Sequence, residues 1–254
     1  MKKKRIIINI GIILAVIVLA IFGWKIYSDL NERHKEEVSI SKAQEMKPSY
    51  VNSGVDANTP DIDQTSNVDN SSNGSIDKIN SDVIGWLTIP DTVVDYAVVQ
   101  TTDNDYYLHY DVFKQENKLG APFLDYRVNK DFSGFNNVIY GHNIDYGPMF
   151  HDVMRFKESD FFNSHTTAML YTPAVNYKLD IFAVATTTAY SNYYKYAFAS
   201  PAEKNAQLQM IKNTALFYRD IGVTIDDHIL TLSGCSWEYD GARTVLLCRM
   251  DPIN

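Results

Sequence analysis

Cysteine is nearly absent from this chain: Cys235 and Cys248 are the two such residues in 254. Two cysteines exclude a disulfide framework, and their spacing offers no Cys-x-x-Cys metal site. Histidine is scarce as well, with six residues, and His142 and His151 do not carry the H-E-x-x-H spacing of a zinc hydrolase. Asp103-Asn104-Asp105 lacks the glycine and the distant glutamate of an EF-hand loop and reads as a polar turn. The sequence therefore implies no metal and no cofactor. Basic surface is also missing. The net charge is −8, and Met1-Lys2-Lys3-Lys4-Arg5 gathers a basic cluster at the N-terminus, so the remainder is more acidic than the total. An acidic body cannot neutralise phosphates, which excludes a nucleic-acid partner. No internal repeat occurs. At 45% hydrophobic and 21% charged, the composition is that of an ordinary globular protein.

One long apolar run is present. Ile6 to Gly23 reads IIINIGIILAVIVLAIFG, interrupted by one polar side chain, Asn9. At about 1.5 Å per helical residue it spans roughly 27 Å, close to the roughly 30 Å hydrocarbon core of a bilayer. Trp24 and Tyr27 stand where interfacial aromatics are expected. The run exceeds a signal-peptide core and no small-x-small cleavage site follows in WKIYSDLNER. Residues 6–24 are thus expected to anchor the chain in the cell membrane as a single pass. The basic tip, 1–5, would be cytoplasmic and the bulk of the chain extracellular. Residues 25–47 are charged and tolerate a helix. Pro48 to Gly74 is rich in Ser, Asn, Asp and Thr, too polar to bury a core, so 25–74 is expected to be a juxtamembrane helix and flexible spacer. Globular character returns near Ser75 and continues to Asn254.

From there the pattern is mainly β. The 17 Tyr and 12 Phe suit a β-rich core or a peptide groove. Strands are expected at 84–89, 93–100, 121–126, 136–142, 167–172, 177–190, 228–235 and 243–250, with Pro90-Asp91-Thr92 turning between the first two. Short helices are expected near 147–154 and 158–163. A longer one, over about 201–218, begins at Ser200-Pro201-Ala202-Glu203, which offers an N-cap, a first-turn proline and a capping-box glutamate. Eight strands with a helix inserted before the last two favour a closed, mainly antiparallel barrel with peripheral helices.

Three reactive side chains fall at strand ends. Cys235 closes ILTLSGC, Arg243 opens the next strand, and His142 closes NVIYGH. If the two last strands pair, Cys235 and Arg243 share one rim, and a cation there favours the thiolate of a thiol whose pKa is ordinarily about 8.5. A histidine at a strand end beside a loop can act as general acid and base near neutral pH. Taken singly, each has a plainer reading as a core thiol, a solvated charge or a hydrogen-bonding histidine. Cys248, inside an alternating strand, reads as a packed thiol, and no disulfide with Cys235 is expected.

The combination TLSGC (231–235), Arg243 and VIYGHN (138–143) closely resembles the active-site motifs of the sortases, and GWLTIPDTVVDYAVVQTTDNDYYL (85–108) resembles their class B branch. The resemblance covers about residues 75–254. It implies a membrane-anchored cysteine transpeptidase on a closed eight-stranded β-barrel. Cys235 would attack a C-terminal sorting-signal peptide of secreted proteins and form a thioacyl enzyme. His142 would protonate the departing amine and deprotonate the incoming one, and Arg243 would hold the carbonyl and oxyanion. The acceptor would be an amine of peptidoglycan or of its lipid-linked precursor. Asn104, Leu108 and Ser233 match groove positions of the family, Gly234 lies beside the nucleophile, and Tyr193 and Tyr194 are further groove candidates. One departure stands out: class B sequences typically place Thr just before the cysteine, so Gly234 is expected to alter substrate preference or rate. A papain-like hydrolase predicts the cysteine before the histidine, the reverse of the order here. A tethered binding scaffold without chemistry has Gly234 as its one supporting feature. Pilin-polymerising relatives carry a lid and a C-terminal membrane segment; this chain ends directly after its last strand, so attachment to the cell wall is expected instead.

Overall fold

The computed structural model describes residues 2–47, 78–144 and 147–253. The spacer expected up to Gly74 lies outside them. Helix α1, Lys2–Glu45, is one uninterrupted rod, so the apolar run and the charged segment after it form a single helix. Its length and composition suffice to cross a membrane, and Ile12, Leu14, Val18, Phe22 and Trp24 are all exposed on it. Its C-terminal part rests on the globular body. Ser39 Oγ donates to Asp111 Oδ2 at 2.6 Å, Lys47 Nζ to Asp95 Oδ1 at 2.7 Å, and Ala43 is buried.

The body is built from β1 (Val83–Thr88), β2 (Asp95–Val99), β3 (Phe123–Leu124), β4 (Asn136–Tyr140), β5 (Thr167–Tyr171), β6 (Asn176–Thr188), β7 (Phe217–Tyr218), β8 (His228–Cys235) and β9 (Ala242–Ile253). Eight of these follow the order β5-β1-β2-β3-β4-β8-β9-β6, and β6 pairs back onto β5, closing the barrel. Closure leaves no open edge along these strands. Most pairs are antiparallel, but β2–β3 and β4–β8 are parallel. The parallel β4–β8 pair sets the ends of two non-consecutive strands side by side, which places the His142 corner next to Cys235.

The helices are α2 (His151–Arg155), α3 (Ser159–Ser164) and α4 (Pro201–Thr214). Ser200 caps α4, its side chain accepting from the Glu203 amide at 3.3 Å, with Pro201 at the first turn. The helix was expected to run to about residue 218 but stops at Thr214. Leu216 and Arg219 instead donate backbone hydrogen bonds to Val184 and Phe182 of β6, at 2.8 and 2.7 Å. Sheet pairing with β6 claims Phe217 and Tyr218 as β7, a short strand outside the closed eight.

Period-two alternation sorts the strands into faces. On β8 and β9, Leu230, Leu232, Leu246 and Cys248 enter the barrel interior with Leu87, Val98, Ile139, Phe150 and Phe156. Ile229, Val245 and Leu247 face outward into a second cluster under α4 with Tyr193, Tyr194 and Ile211.

Candidate active site

Alternation decides where the two thiols go. Cys235 lies in phase with Ile229, Thr231 and Ser233, on the outer face of β8; Cys248 lies in phase with Leu246, inside. Cys248 is fully buried, and burial pushes its thiol far above the ordinary range. Cys235 is half-buried, and both thiols are free. On β9, opposite Cys235 in the antiparallel ladder, stands Arg243. Directly paired residues hold their β-carbons roughly 4.5–5.5 Å apart on one face. The rim geometry expected from the sequence is therefore present. Among the described residues, the one hydrogen bond of the Arg243 guanidinium goes to the neighbouring Ala242 carbonyl, at 3.0 Å. No carboxylate claims its charge there.

His142 arrives from β4. Tyr140 is in register with Ser233, and the Gly141 amide continues the ladder to the Ser233 carbonyl at 3.0 Å. A β-carbon at Gly141 would sit 2.7–2.9 Å from three atoms of the buried Phe150 ring, so glycine is required where the chain turns past that ring. The His142 carbonyl accepts from Phe150 at 2.9 Å. Its ring Nε2 lies 3.0 Å from the Leu108 carbonyl. A carbonyl can only accept, so Nε2 carries a proton and Nδ1 is left as the nitrogen free to exchange one.

The three side chains line one cavity of about 190 Å³. Asn104, Leu108, Ser233, Gly234 and Tyr194 line it too. Tyr193 does not: it is buried beneath α4, its hydroxyl 2.8 Å from Thr214 Oγ1. Phe123, Tyr140, Gly141 and Ala189 complete the lining. Of these, Tyr140 and Gly141 lie inside the VIYGHN motif, and Phe123 and Ala189 lie in segments read simply as strands.

The floor is a hydrogen-bonded aromatic layer. Tyr194 OH is 2.9 Å from Ser233 Oγ, and its ring stacks on Tyr140 at 5.9 Å. Burial pushes the Tyr194 hydroxyl up, so it remains neutral beside the thiol. Tyr140 OH donates to Asp125 Oδ2 at 2.9 Å, and Arg127 grips both oxygens of Asp125 at 2.9 and 2.6 Å. Burial opposes ionisation of Asp125, but these donors win and hold its carboxyl below the usual range. Below the floor, Thr231 donates to Asn136 Oδ1, and Asn136 Nδ2 holds the carbonyls of Tyr193 and Lys195, each at 2.9 Å. That clamp sets Tyr194 in place.

The β-carbon missing at Gly234 has a structural counterpart. An added β-carbon would meet Met154 Cε at 2.9 Å, with Gly141 O and Phe150 Cβ at 3.5 Å. The terminal methyl of Met154 occupies the space a side chain there would take. Among the described residues no cluster of His, Cys, Asp and Glu could hold a metal ion. A groove of about 390 Å³ between α4 and the 218–225 segment shares none of the active-site lining.

Fold and cavity together describe a cysteine enzyme built on a closed β-barrel. No protein-family model matches the chain. Among curated proteins, it is similar to sortase B of Listeria monocytogenes, 33% identical over 245 residues, covering 93% of this chain and 95% of that one. It is also similar to sortase B of Staphylococcus aureus, 27% identical over 239 residues, covering 94% and 93%. Among solved structures, sortase B from Bacillus anthracis in complex with AAEK1 superposes with a TM-score of 0.73 at 28% identity, covering 88% of this chain and 100% of that one. A Staphylococcus aureus sortase B–substrate complex gives 0.66 at 27% identity, covering 70% and 83%. The chain belongs to the sortase family of cysteine transpeptidases, in its class B branch.

Proposed function

We propose that this protein is anchored in the cell membrane by residues 6–24, with its barrel outside the cell. There it cuts the C-terminal sorting signal of secreted proteins and joins them to an amine of peptidoglycan or its lipid-linked precursor. The observation that carries the assignment of residues is the pairing of Cys235 with Arg243 at the rim of the cavity that His142 enters.

In this scheme the Cys235 thiol proton passes to His142 Nδ1, Cys235 Sγ attacks the scissile carbonyl carbon, and the carbonyl oxygen gains negative charge. Arg243, unclaimed by any carboxylate among the described residues, donates to that oxygen; one such donor is typically worth about 3–4 kcal/mol. The carbon–nitrogen bond breaks as His142 gives a proton to the departing amine, leaving a thioester on Cys235. His142 then takes a proton from the incoming amine, which attacks the thioester. A new amide forms and the thiol is released. Nδ1 is the nitrogen for these transfers, since Nε2 is engaged by Leu108. Asn104, Leu108, Tyr194, Ser233 and Gly234 form the walls against which the sorting peptide lies.

The test is product partitioning. The full-length protein in detergent micelles is given a library of pentapeptide-bearing substrates, with and without an added amine acceptor. Transfer to the amine at the expense of hydrolysis supports a transpeptidase of this kind. Release of the free acid alone, at every amine concentration, marks a hydrolase.

A further inference from the structure

Asn143 stands next to the histidine and belongs to neither the reactive trio nor the cavity lining. It is 7% exposed. Its Nδ2 donates to the backbone carbonyl of Cys235 at 2.8 Å. That carbonyl can only accept, so the amide orientation is fixed with nitrogen toward Cys235. Oδ1 is consequently turned away, buried and without a partner among the described residues. An orphan buried acceptor costs stability, so packing does not account for an amide here, whereas its donor end has a defined job.

That job lies where the β4–β8 ladder runs out. The last backbone bond of the ladder is Gly141 N to Ser233 O. Two residues further on, the Asn143 side chain supplies the donor that the backbone no longer provides, and its target is the nucleophile's own residue. The backbone of Asn143 also bridges to Met149, and the His142 carbonyl takes the Phe150 amide. His142 is thus held by a ring contact at Leu108 and by ties to β8 on both sides of it, the Gly141 amide before it and the Asn143 side chain after it.

We propose that Asn143 is a positioning residue for the transpeptidase reaction: its side-chain amide locks the His142 corner to the Cys235 backbone and so sets the base–thiol geometry. This placement rests on the roles proposed above for Cys235 and His142. Removing the donor unties the corner from β8 beyond Gly141, and a misplacement of about 1 Å in such a pair can cost about a hundredfold in rate.

The experiment compares full-length wild type, Asn143→Asp, Asn143→Ala and Asn143→Gln in detergent micelles. Two readouts are taken: peptide turnover, and the pH profile of Cys235 alkylation by iodoacetamide, which needs no peptide. Expected are falls in kcat of about ten- to a hundredfold for Asp and Ala with KM within about twofold. Their alkylation profiles should move toward that of His142→Ala, and Gln, which keeps an N–H donor, should recover part of both. Wild-type kcat in Asp and Ala overturns the proposal. So does lost kcat with an unchanged alkylation profile, which assigns the loss to general loosening. Turnover surviving in Cys235→Ala instead overturns the assignment of the nucleophile, and is distinguished by that variant alone.

Discussion

Substituting Gly234→Ala tests whether Met154 has taken the place of a side chain beside the nucleophile. The added β-carbon would sit 2.9 Å from Met154 Cε, while Gly141 O and Phe150 Cβ at 3.5 Å are ordinary contacts. The one tight neighbour is thus the free end of a flexible, half-buried side chain, which places overpacking at the low end of its range, about 1 kcal/mol. Against this, alanine in a strand regains about 0.5–1 kcal/mol of the entropy that glycine loses on folding. The two nearly cancel, so Gly234→Ala should change stability by less than about 0.5 kcal/mol. With Met154→Ala already present the clash is gone, and the same substitution should stabilise by about 0.5–1 kcal/mol. The coupling energy of the double-mutant cycle is then about 1 kcal/mol. Urea unfolding of the four proteins, with unchanged m, measures it. Additive effects within about 0.3 kcal/mol, or a loss above about 3 kcal/mol for Gly234→Ala alone, would show that something more rigid than Met154 fills the site.

Gly141→Ala should behave in the opposite way, because the atoms 2.7–2.9 Å away belong to a fully buried ring; a loss of at least about 2–3 kcal/mol in urea unfolding is expected. Asp125→Asn tests the charged brace behind Tyr140. The Asp125 carboxyl is held below its ordinary range in the folded state, so its contribution is fully present above the unfolded value near about 3.9 and fades as pH falls through the folded one. Asn should cost about 1.5–3 kcal/mol at pH 7, and the gap to wild type should narrow as pH drops from about 5 to about 3; a pH-independent gap would rule the charge out. Native protein treated with iodoacetamide should take one label, at Cys235, and a second at Cys248 only after unfolding, as read by peptide mass spectrometry, since Cys248 is wholly buried.

Much of the barrel was legible because its strands carry strong local signals. The run ILTLSGC marked β8, alternation in 243–250 marked β9, and the Ser200-Pro201-Glu203 cap marked the start of α4. The end of α4 was not legible: Phe217 and Tyr218 are equally at home on a helix face or a strand, and it is Val184 and Phe182, distant in sequence, that decide. The same holds for the site. Motifs named Cys235, His142 and Arg243, and the strand reading put Cys235 and Arg243 on one rim. That the His142 corner joins them depends on a parallel pairing between β4 and β8, which no local pattern announces. Tyr193 and Tyr194 are adjacent and alike in sequence; the Asn136 clamp sends one toward the cavity and the other under α4. Met154 and Asn143 act through single contacts with distant residues, and no spacing rule reveals those.

The most direct test of the central claim is the mass of the protein after brief incubation with a sorting-signal peptide and no amine. The increment should equal the acyl half of the peptide, map to Cys235, be lost on treatment with hydroxylamine, and be absent in Cys235→Ala. An adduct on another residue, or peptide cleavage that persists at the wild-type rate in Cys235→Ala, would contradict it.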